Sequence, residues 1–276
     1  MKNILVYDAL IPGKIPYPIE FELKKLGYKA QTFDFSGFFN KGNSFFQKAI
    51  NKLTYKLIKK DINIELLGLV KRQKFDLLIV CFGKHLDYET ILVLKKFIPV
   101  IVNWNSDDIF NKSNTSKEII KSISLFDIHF TPRIHLIEEY KSFGAKKFIE
   151  LDWYYRSGYL KDSINNNQLN RVYFAGSYSK RRNKIISNIN HDNINISGTG
   201  WNEKKDRNIL GNANFDQMHE NFSTHKFNIN ILTKENRDTS NLRNFEIPSS
   251  FGFQLSERSS KIQELFDEDK EIENEV

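Results

Sequence analysis

A guanidinium and a carboxylate stand three residues apart near the C-terminal end of the chain, at Arg243 and Glu246. On a short predicted helix the two side chains share one face, because residues at positions i and i+3 are neighbours on a helix surface. Pro248 and Gly252 end that helix, and an apolar strand is predicted at residues 251–255. Beyond the carboxyl end of a parallel strand, a cation suits phosphate and a carboxylate suits ribose hydroxyls. The pair therefore indicates nucleotide binding.

A glycine turn with basic residues follows another predicted strand. Gly176 and Ser177 come directly after the apolar run 172–174, and Arg181 and Arg182 follow within a few residues. Backbone N–H groups at a turn and at a helix start bind phosphate oxygens, and glycine lets the chain approach them closely. The alternative is an ordinary strand-to-helix turn that leads into a solvated basic helix.

A second pair of glycines marks the next turn of the same half. Gly198 and Gly200 follow the apolar run 194–196 and precede Trp201. We expect this turn at the carboxyl edge of the sheet, where α/β proteins place their ligands. Trp201 either stacks on a nucleotide base or packs in the core beneath the site.

Polar residues also follow two strands of the first half. Asp107 and Asp108 come after the run 100–102, and His85 comes after the run 77–82. Each aspartate either takes a proton from an acceptor hydroxyl as a general base or caps the next helix. Histidine titrates near neutral pH, so His85 is a candidate base, with a polar loop residue as the alternative. The sequence shows no histidine or cysteine spacing typical of a metal site.

Short apolar runs alternate with amphipathic stretches along the whole chain. Continuous apolar runs suit strands that are covered on both faces, and alternating strands and helices imply parallel βαβ units. We expect an α/β fold of two doubly wound domains, 1–160 and 170–276, separated by a seam at 153–170 without apolar periodicity. The predicted strands lie at 4–6, 77–80, 100–102, 128–130, 172–174, 194–196, 227–231 and 251–255.

The composition is that of a globular protein that favours anionic partners. The 276 residues are 40% hydrophobic and 27% charged, with a net charge of +7. Residues 264–276 hold seven acidic side chains and one lysine, so the rest of the chain is more basic still. Nucleotide diphosphates, phospholipid surfaces and nucleic acid all suit such a charge, and a general bias toward lysine explains it equally well. No nucleic-acid-binding motif is present, so no nucleic-acid partner is expected.

Several features favour a cytoplasmic location. The single cysteine, Cys81, lies inside an apolar run, which excludes a disulfide framework. The N-terminal residues turn acidic too early for a secretory signal. Apolar runs stay below the roughly 18 residues that a membrane-spanning helix needs.

Residues 45–60 predict an amphipathic basic helix. Its apolar residues fall along one stripe, and its lysines fall along another at four-residue spacing. Such a helix either rests peripherally on an anionic membrane or is a plain surface helix with a lysine face. The apolar stripe is Phe46, Ile50, Leu53 and Leu57, and the lysine stripe is Lys48, Lys52, Lys56 and Lys60.

Residues 241–257 resemble the C-terminal signature of the CgeB-like (spore-maturation type) glycosyltransferases, within the group 1 glycosyltransferases of the GT-B fold. That signature is approximately Asn-x-Arg-x-Phe-Glu-Ile-Pro, then a small residue and a glycine, then an apolar strand and an acidic residue. The turn at Gly176 is similar to the family's strand-Gly-Ser turn. The run from Trp104 to Asp108 is similar to its Trp-x-x-Asp-Asp stretch. The resemblance is specific over 171–270 and patchy over the first half.

The resemblance implies two Rossmann-like domains that face a cleft, with the nucleotide sugar on the second domain and the acceptor on the first. It implies that Asn241 and Arg243 face the diphosphate and that Glu246 binds the ribose. Asp238 takes the upstream position of the family's acid-x7-acid pattern, near the donor sugar, where Glu is usual. Family members continue past the equivalent of Glu271 with one more helix, so a truncated C-terminal helix is expected here.

We therefore expect a metal-independent glycosyltransferase without a cofactor, located in the cytoplasm or peripherally at the inner membrane face. Its donor substrate is a nucleotide-diphosphate sugar, and its acceptor is a glycan, a lipid-linked molecule or a protein. Helix amino termini and cations would stabilise the departing diphosphate. The alternative is a non-catalytic scaffold of the same fold that binds a nucleotide or a glycan. The residues leave the sugar, the base and the stereochemical outcome open.

Overall fold

The computed structural model describes residues 2–10, 19–39, 45–111, 114–154, 163, 165–201, 208–236, 239–268 and 270. The chain divides into two compact units, Met1–Asp152 and Trp153–Val276. Each unit is built on one parallel β-sheet whose strands are joined through helices. The predicted α/β class with two Rossmann-like domains is confirmed.

The first unit has a six-stranded sheet with the strand order β2-β1-β3-β4-β5-β6. All of its strand pairs are parallel. In chain order the elements are β1 (Asn3–Asp8), α1 (Ile19–Lys25), β2 (Lys29–Asp34), α2 (Phe45–Arg72), β3 (Leu77–Cys81), α3 (Tyr88–Leu94), β4 (Val100–Trp104), α4 (Lys117–Ser122), β5 (Ile128–Thr131), α5 (Ile137–Ser142) and β6 (Phe148–Glu150).

Helices cover both faces of this sheet. Tyr7 of β1 lies in a core cluster with Leu66 of α2. Val6 of the same strand lies in a separate cluster with Leu23 of α1. Successive side chains of a strand point to opposite faces, so both faces of β1 are buried. This double burial explains why β1 is an uninterrupted apolar run in the sequence.

The second unit has a five-stranded parallel sheet with the order β11-β10-β7-β8-β9. Phe174 of β7 packs with Ile186 of α6 on one face, and Tyr173 packs with Met218 of α7 and Ile247 of α8 on the other. The elements are β7 (Leu169–Ala175), α6 (Lys180–Ile186), β8 (Ile194–Ser197), β9 (Asn208–Gly211), α7 (Phe215–Thr224), β10 (His225–Asn230), α8 (Arg243–Ser249), β11 (Gln254–Ser256) and α9 (Ser260–Leu265).

The strand order reverses direction once in each sheet. In the first unit β2 lies on one side of β1 and β3 on the other, and in the second unit β8 and β10 flank β7 in the same way. At such a topological switch point the connections leave in opposite directions, and ligands bind in the crevice beyond the carboxyl ends of the strands. The fold alone therefore predicts ligand sites at the loops after β1 and β3, and at those after β7 and β10.

The strand predicted at 251–255 is wrong at its start, because β11 is only Gln254–Ser256. Phe251 has a φ of 56°, in the left-handed region that a strand does not use. A Cβ built on Gly252 would lie 2.6 Å from the carbonyl oxygen of Phe222. The strand therefore begins only after the turn at Phe251 and the close backbone approach at Gly252.

The helix predicted at 45–60 is also longer than expected, since α2 runs to Arg72. Its second half is anchored by Ile62, Leu66 and Val70, which are at most 4% exposed and recur at four-residue spacing. Within the described ranges, no helix combines the length and the hydrophobicity that crossing a bilayer requires, and this includes the 28-residue α2.

Candidate functional site

Two glycine turns lie in contact beyond the carboxyl ends of β7 and β8. The amide of Gly176 donates to the carbonyl oxygen of Ser197 at 2.8 Å, and the amide of Tyr178 donates to that of Thr199 at 2.8 Å. Gly198 has a φ of 146°, and a Cβ built on it would lie 2.1 Å from the carbonyl oxygen of Gly176. Only glycine permits this approach, so the two predicted turns form one connected surface.

The other residues of these turns have partners within the same surface. Thr199 Oγ1 donates to Ser177 Oγ at 3.0 Å. Gly200 has a φ of 83°, a conformation that favours glycine. Trp201 is fully buried, and its Nε1 donates to the carbonyl oxygen of Gly176 at 2.8 Å. Trp201 therefore packs in the core beneath the turns, the second of its two predicted alternatives.

The Arg182 guanidinium lies across the switch point between β7 and β10. Its Nε and Nη2 donate to the carbonyl oxygen of Ile231 at 3.3 and 2.8 Å, and its Nη1 donates to that of Ser177 at 3.1 Å. It also lies over the Phe174 ring, 5.4 Å from the ring centre. Burial and the nearby charge of Arg243 lower the pKa of Arg182, although a guanidinium remains protonated in proteins. A fixed cation thus stands beside the glycine turns.

Arg243 and Glu246 form an ion pair on the first turn of α8. Arg243 Nε also donates to the carbonyl oxygen of Ala175 at 3.4 Å, which places the guanidinium at the end of β7. The Arg243 side chain is 28% exposed, whereas that of Glu246 is 1% exposed. Oε2 of Glu246 accepts from Arg243, but its Oε1 has no hydrogen-bond partner among the described residues. This buried oxygen is chemically suited to accept from a ligand hydroxyl.

Asparagine side chains fix the start of α8. Asn230 and Asn241 exchange two hydrogen bonds through their amide groups, at 3.1 and 2.9 Å. Asn241 Oδ1 also accepts from the backbone amide of Arg243 at 2.9 Å, and Asn244 Oδ1 accepts from that of Asn241 at 2.9 Å. Both ends of the Asn241 side chain are therefore occupied. The Asn241 amide thus positions Arg243, and its contact with a diphosphate stays a prediction.

Arg181, one of the residues predicted to bind the nucleotide, forms an ion pair with a carboxylate. The Arg181 guanidinium donates to both carboxylate oxygens of Glu257 and, at 3.1 Å, to the carbonyl oxygen of Leu232. The hydrogen bonds to Glu257 raise the pKa of Arg181, and Glu257 also accepts from the Leu232 amide at 2.6 Å. Arg181 therefore braces the end of β10, and its neighbour Arg182 stands at the turns. Asp238 lies outside the described residues.

In the first unit, the two adjacent aspartates have different surroundings. Asp108 is 7% exposed, and its Oδ1 accepts from the amides of Phe110 at 2.9 Å and Asn111 at 3.2 Å. Asp108 thus closes a local turn but does not cap the next helix, because the N-cap of α4 is Ser116. Burial raises the pKa of the Asp107 carboxyl, and the charges of Arg133 and Lys84 partly oppose that rise. A carboxyl with a raised pKa beyond the end of β4 is the better candidate for a base.

Three aromatic rings enclose His85, which follows β3. Its ring centre lies 5.1 Å from that of Phe35, 5.0 Å from that of Phe39 and 5.8 Å from that of Tyr55. Its Nδ1 is 3.2 Å from the Tyr55 hydroxyl. Burial, together with the positive charge of Lys84, lowers the pKa of His85 to about 4. An uncharged, packed imidazole is a weak base, so the geometry favours a structural role for His85.

Residues 180–275 match a protein-family model described as glycosyl transferase-like. This range holds Arg182, Arg243 and Glu246, and it extends from the start of α6 through α9. Among curated proteins none matches the sequence. The larger part of the second unit is therefore glycosyltransferase-like in sequence.

Solved structures resemble almost the whole chain at low sequence identity. The apo form of the lipopolysaccharide outer core galactosyltransferase WaaB is 13% identical with a TM-score of 0.57, over 96% of this chain and 84% of that one. The UDP-GlcNAc 2-epimerase from Neisseria meningitidis, solved bound to UDP-GlcNAc, is 12% identical with a TM-score of 0.52, over 96% and 85%. The UDP-GlcNAc 2-epimerase from Methanocaldococcus jannaschii is 10% identical with a TM-score of 0.51, over 95% and 86%. These likenesses show a GT-B type of fold, which transferases and epimerases share.

The packing of His85 predicts a pH-dependent stability. The pKa of histidine in an unfolded chain is about 6.5, and that of His85 is about 4. Because the unfolded chain takes up the proton first as the pH falls, this stabilisation is complete above about pH 6.5 and is lost between about pH 6.5 and 4. In His85→Phe, which does not titrate, the loss of unfolding free energy between about pH 7 and 4.5 should be about 2 kcal/mol smaller. Urea unfolding at the two pH values measures the loss of unfolding free energy in each protein. Equal losses in His85→Phe and in the unaltered protein would contradict the packed, uncharged imidazole.

Proposed function

We propose that the chain is a glycosyltransferase that takes its sugar from a nucleoside diphosphate donor. One observation carries the proposal: the guanidiniums of Arg182 and Arg243, the joined glycine turns and the unpartnered oxygen of Glu246 gather at one switch point. A nucleoside diphosphate sugar offers the complementary groups, an anionic diphosphate and ribose hydroxyls. The match of residues 180–275 to a glycosyl transferase-like model supports transfer as the reaction.

The two guanidiniums would hold the diphosphate. Backbone carbonyl oxygens fix Arg182, and the end of β7 fixes Arg243, so neither cation has to be recruited when the donor binds. Negative charge grows on the diphosphate as its bond to the sugar breaks. Cations already in place stabilise that charge in the transition state, and the proposed mechanism therefore requires no metal and no cofactor. The Glu246 carboxylate would accept a hydrogen bond from a ribose hydroxyl.

The acceptor would bind the first unit. Its hydroxyl oxygen would attack the anomeric carbon, the bond from that carbon to the diphosphate oxygen would break, and the hydroxyl proton would pass to a base. Asp107 is the proposed base when the reaction inverts the anomeric centre, because burial already raises the pKa of its carboxyl. A glycan, a lipid-linked molecule or a protein can each supply such a hydroxyl.

A non-catalytic scaffold with the same donor site is the competing function. It would bind the nucleotide sugar as well as an enzyme does but would release no nucleoside diphosphate from it. The binding and release measurements that follow therefore separate a failure of the donor site from a failure of catalysis.

Nucleotide binding should raise the thermal stability of the protein. At a ligand concentration about 100 times the Kd, one-site binding adds about 2.7 kcal/mol, or roughly 5 °C or more in Tm. A thermal-shift screen with UDP-, GDP-, ADP- and CMP-sugars should find one stabilising nucleotide class. Arg243→Gln and Glu246→Ala should each abolish the shift relative to their own ligand-free Tm, because they remove the diphosphate and ribose contacts.

The matched control for this screen is Arg258→Gln, which removes a cation from the same unit. Arg258 is 55% exposed, pairs with Glu268 and is not among the residues proposed to contact the nucleotide. The nucleotide should raise the Tm of Arg258→Gln by as much as it raises that of the unaltered protein. If no nucleotide sugar raises the Tm of the folded protein, the proposed donor site is wrong. It is also wrong if the Arg243→Gln variant keeps the full rise in Tm.

The proposed base predicts a kinetic difference between two neighbouring aspartates. With the stabilising nucleotide sugar as donor and water as acceptor, Asp107→Asn should lower nucleoside diphosphate release by about 100-fold or more while the thermal shift persists. Asp108→Asn should retain most activity, since an amide oxygen still accepts from Phe110. In the unaltered protein the rate should fall as the pH drops through the raised pKa of Asp107. Full activity of Asp107→Asn would exclude it as the base.

A further inference from the structure

Between residues 53 and 64, α2 displays an apolar stripe to solvent. Leu53 is 85% exposed, Leu57 is 64% exposed and Ile64 is 57% exposed. Successive residues of an α-helix are rotated by about 100°, so these three side chains point almost opposite to the buried Ile62 and Leu66. The core of the first unit therefore does not account for the stripe.

Exposed lysines border this apolar stripe along one side of the helix. The acidic residues of α2, Asp61 and Glu65, are exposed and lie toward the other side. Over its whole length α2 holds seven basic and two acidic residues. Long lysine side chains can cover the edge of an apolar surface while their ammonium groups stay in water. The bordering lysines are Lys52, Lys56 and Lys60.

We propose that α2 is a docking surface for an anionic lipid membrane. The apolar stripe would enter the boundary between headgroups and acyl chains, and the bordering lysines would contact anionic headgroups. Both parts of the surface are then used, and the chain stays on the membrane surface without crossing it. The basic character of the chain outside residues 264–276 adds a long-range attraction of the same sign.

Two other occupants fit the surface less well. Three aliphatic side chains on one helix bury far less than the roughly 1,200 Å² of a stable protein interface, and two copies would bring their lysines together. A soluble polyanion would contact the lysines but would gain nothing from the leucines. Membrane docking also goes beyond the proposed transfer reaction, because it requires neither a donor nor activity.

Vesicle flotation of the full chain, without nucleotide, tests the proposal. The protein should bind phosphatidylcholine vesicles that contain phosphatidylglycerol and should bind pure phosphatidylcholine vesicles much more weakly. The double variant Leu53→Gln with Leu57→Gln should bind about tenfold or more weakly, because it removes buried apolar surface. The triple variant of Lys52, Lys56 and Lys60 to Gln should lose at least as much, because each lysine near an anionic surface contributes.

Matched controls change the same residue types elsewhere on the first unit. Leu26→Gln alters a leucine that is 73% exposed, and the change of Lys96, Lys141 and Lys147 to Gln removes three other exposed lysines. Both controls should keep most of the vesicle binding, and circular dichroism should show all variants folded. A Leu57→Trp variant should shift its fluorescence to shorter wavelength on anionic vesicles, since its ring would leave water.

Four results would overturn the docking surface. The first two are absence of binding to anionic vesicles, and an equal loss of vesicle binding in the control variants and the α2 variants. The third is a Leu57→Trp fluorescence spectrum that does not shift when the protein is bound. The fourth is light scattering that shows two copies held together through the leucines. Tight binding of an oligonucleotide that needs the lysines but not the leucines, with weak vesicle binding, would assign the surface to soluble polyanions instead.

Discussion

The ion pair between Arg243 and Glu246 is the interaction on which the site of the second unit depends. Glu246 is 1% exposed, and a buried carboxylate without a partner is strongly unfavourable. Arg243 supplies the neutralising cation and also donates to the carbonyl oxygen of Ala175, so the pair ties α8 to the end of β7. The amide pair of Asn230 and Asn241 holds the start of α8 in the position where both contacts form. Local stability and the proposed ligand chemistry therefore rest on the same contact.

The structure also holds like charges close together. Repulsion from Arg243 contributes to the lowered pKa of Arg182, yet the carbonyl oxygens of Ile231 and Ser177 keep Arg182 in place. An anion that binds both guanidiniums relieves this repulsion and finds its donors already arranged. The corresponding edge of the first unit instead carries Asp107, whose carboxyl has a raised pKa. In the proposed mechanism, the donor site lies on the second unit and the base lies on the first.

The sequence predicted most buried strands because strands covered on both faces are continuous apolar runs. It did not predict β2 and β6, at the two edges of the first sheet, or β9, at one edge of the second, and all three are only partly buried. Residue types and spacing predicted Arg243, Glu246 and the glycine turns as site residues, and the structure brings Arg243 and the turns together at the end of β7. They did not separate Arg181 from Arg182, because the residue that decides between them, Glu257, comes from a distant part of the chain after β11. Local patterns describe a helix face, but a partner 76 residues away appears only in the folded chain.

A crystal structure of the protein with its stabilising nucleoside diphosphate is the most direct test of the donor site. It should show diphosphate oxygens about 2.7–3.2 Å from the guanidinium nitrogens of Arg182 and Arg243, beside the turn at Gly176. A ribose hydroxyl should donate to Oε1 of Glu246. A nucleotide bound on any other surface, or an Arg243 side chain turned away from the diphosphate, would contradict the account.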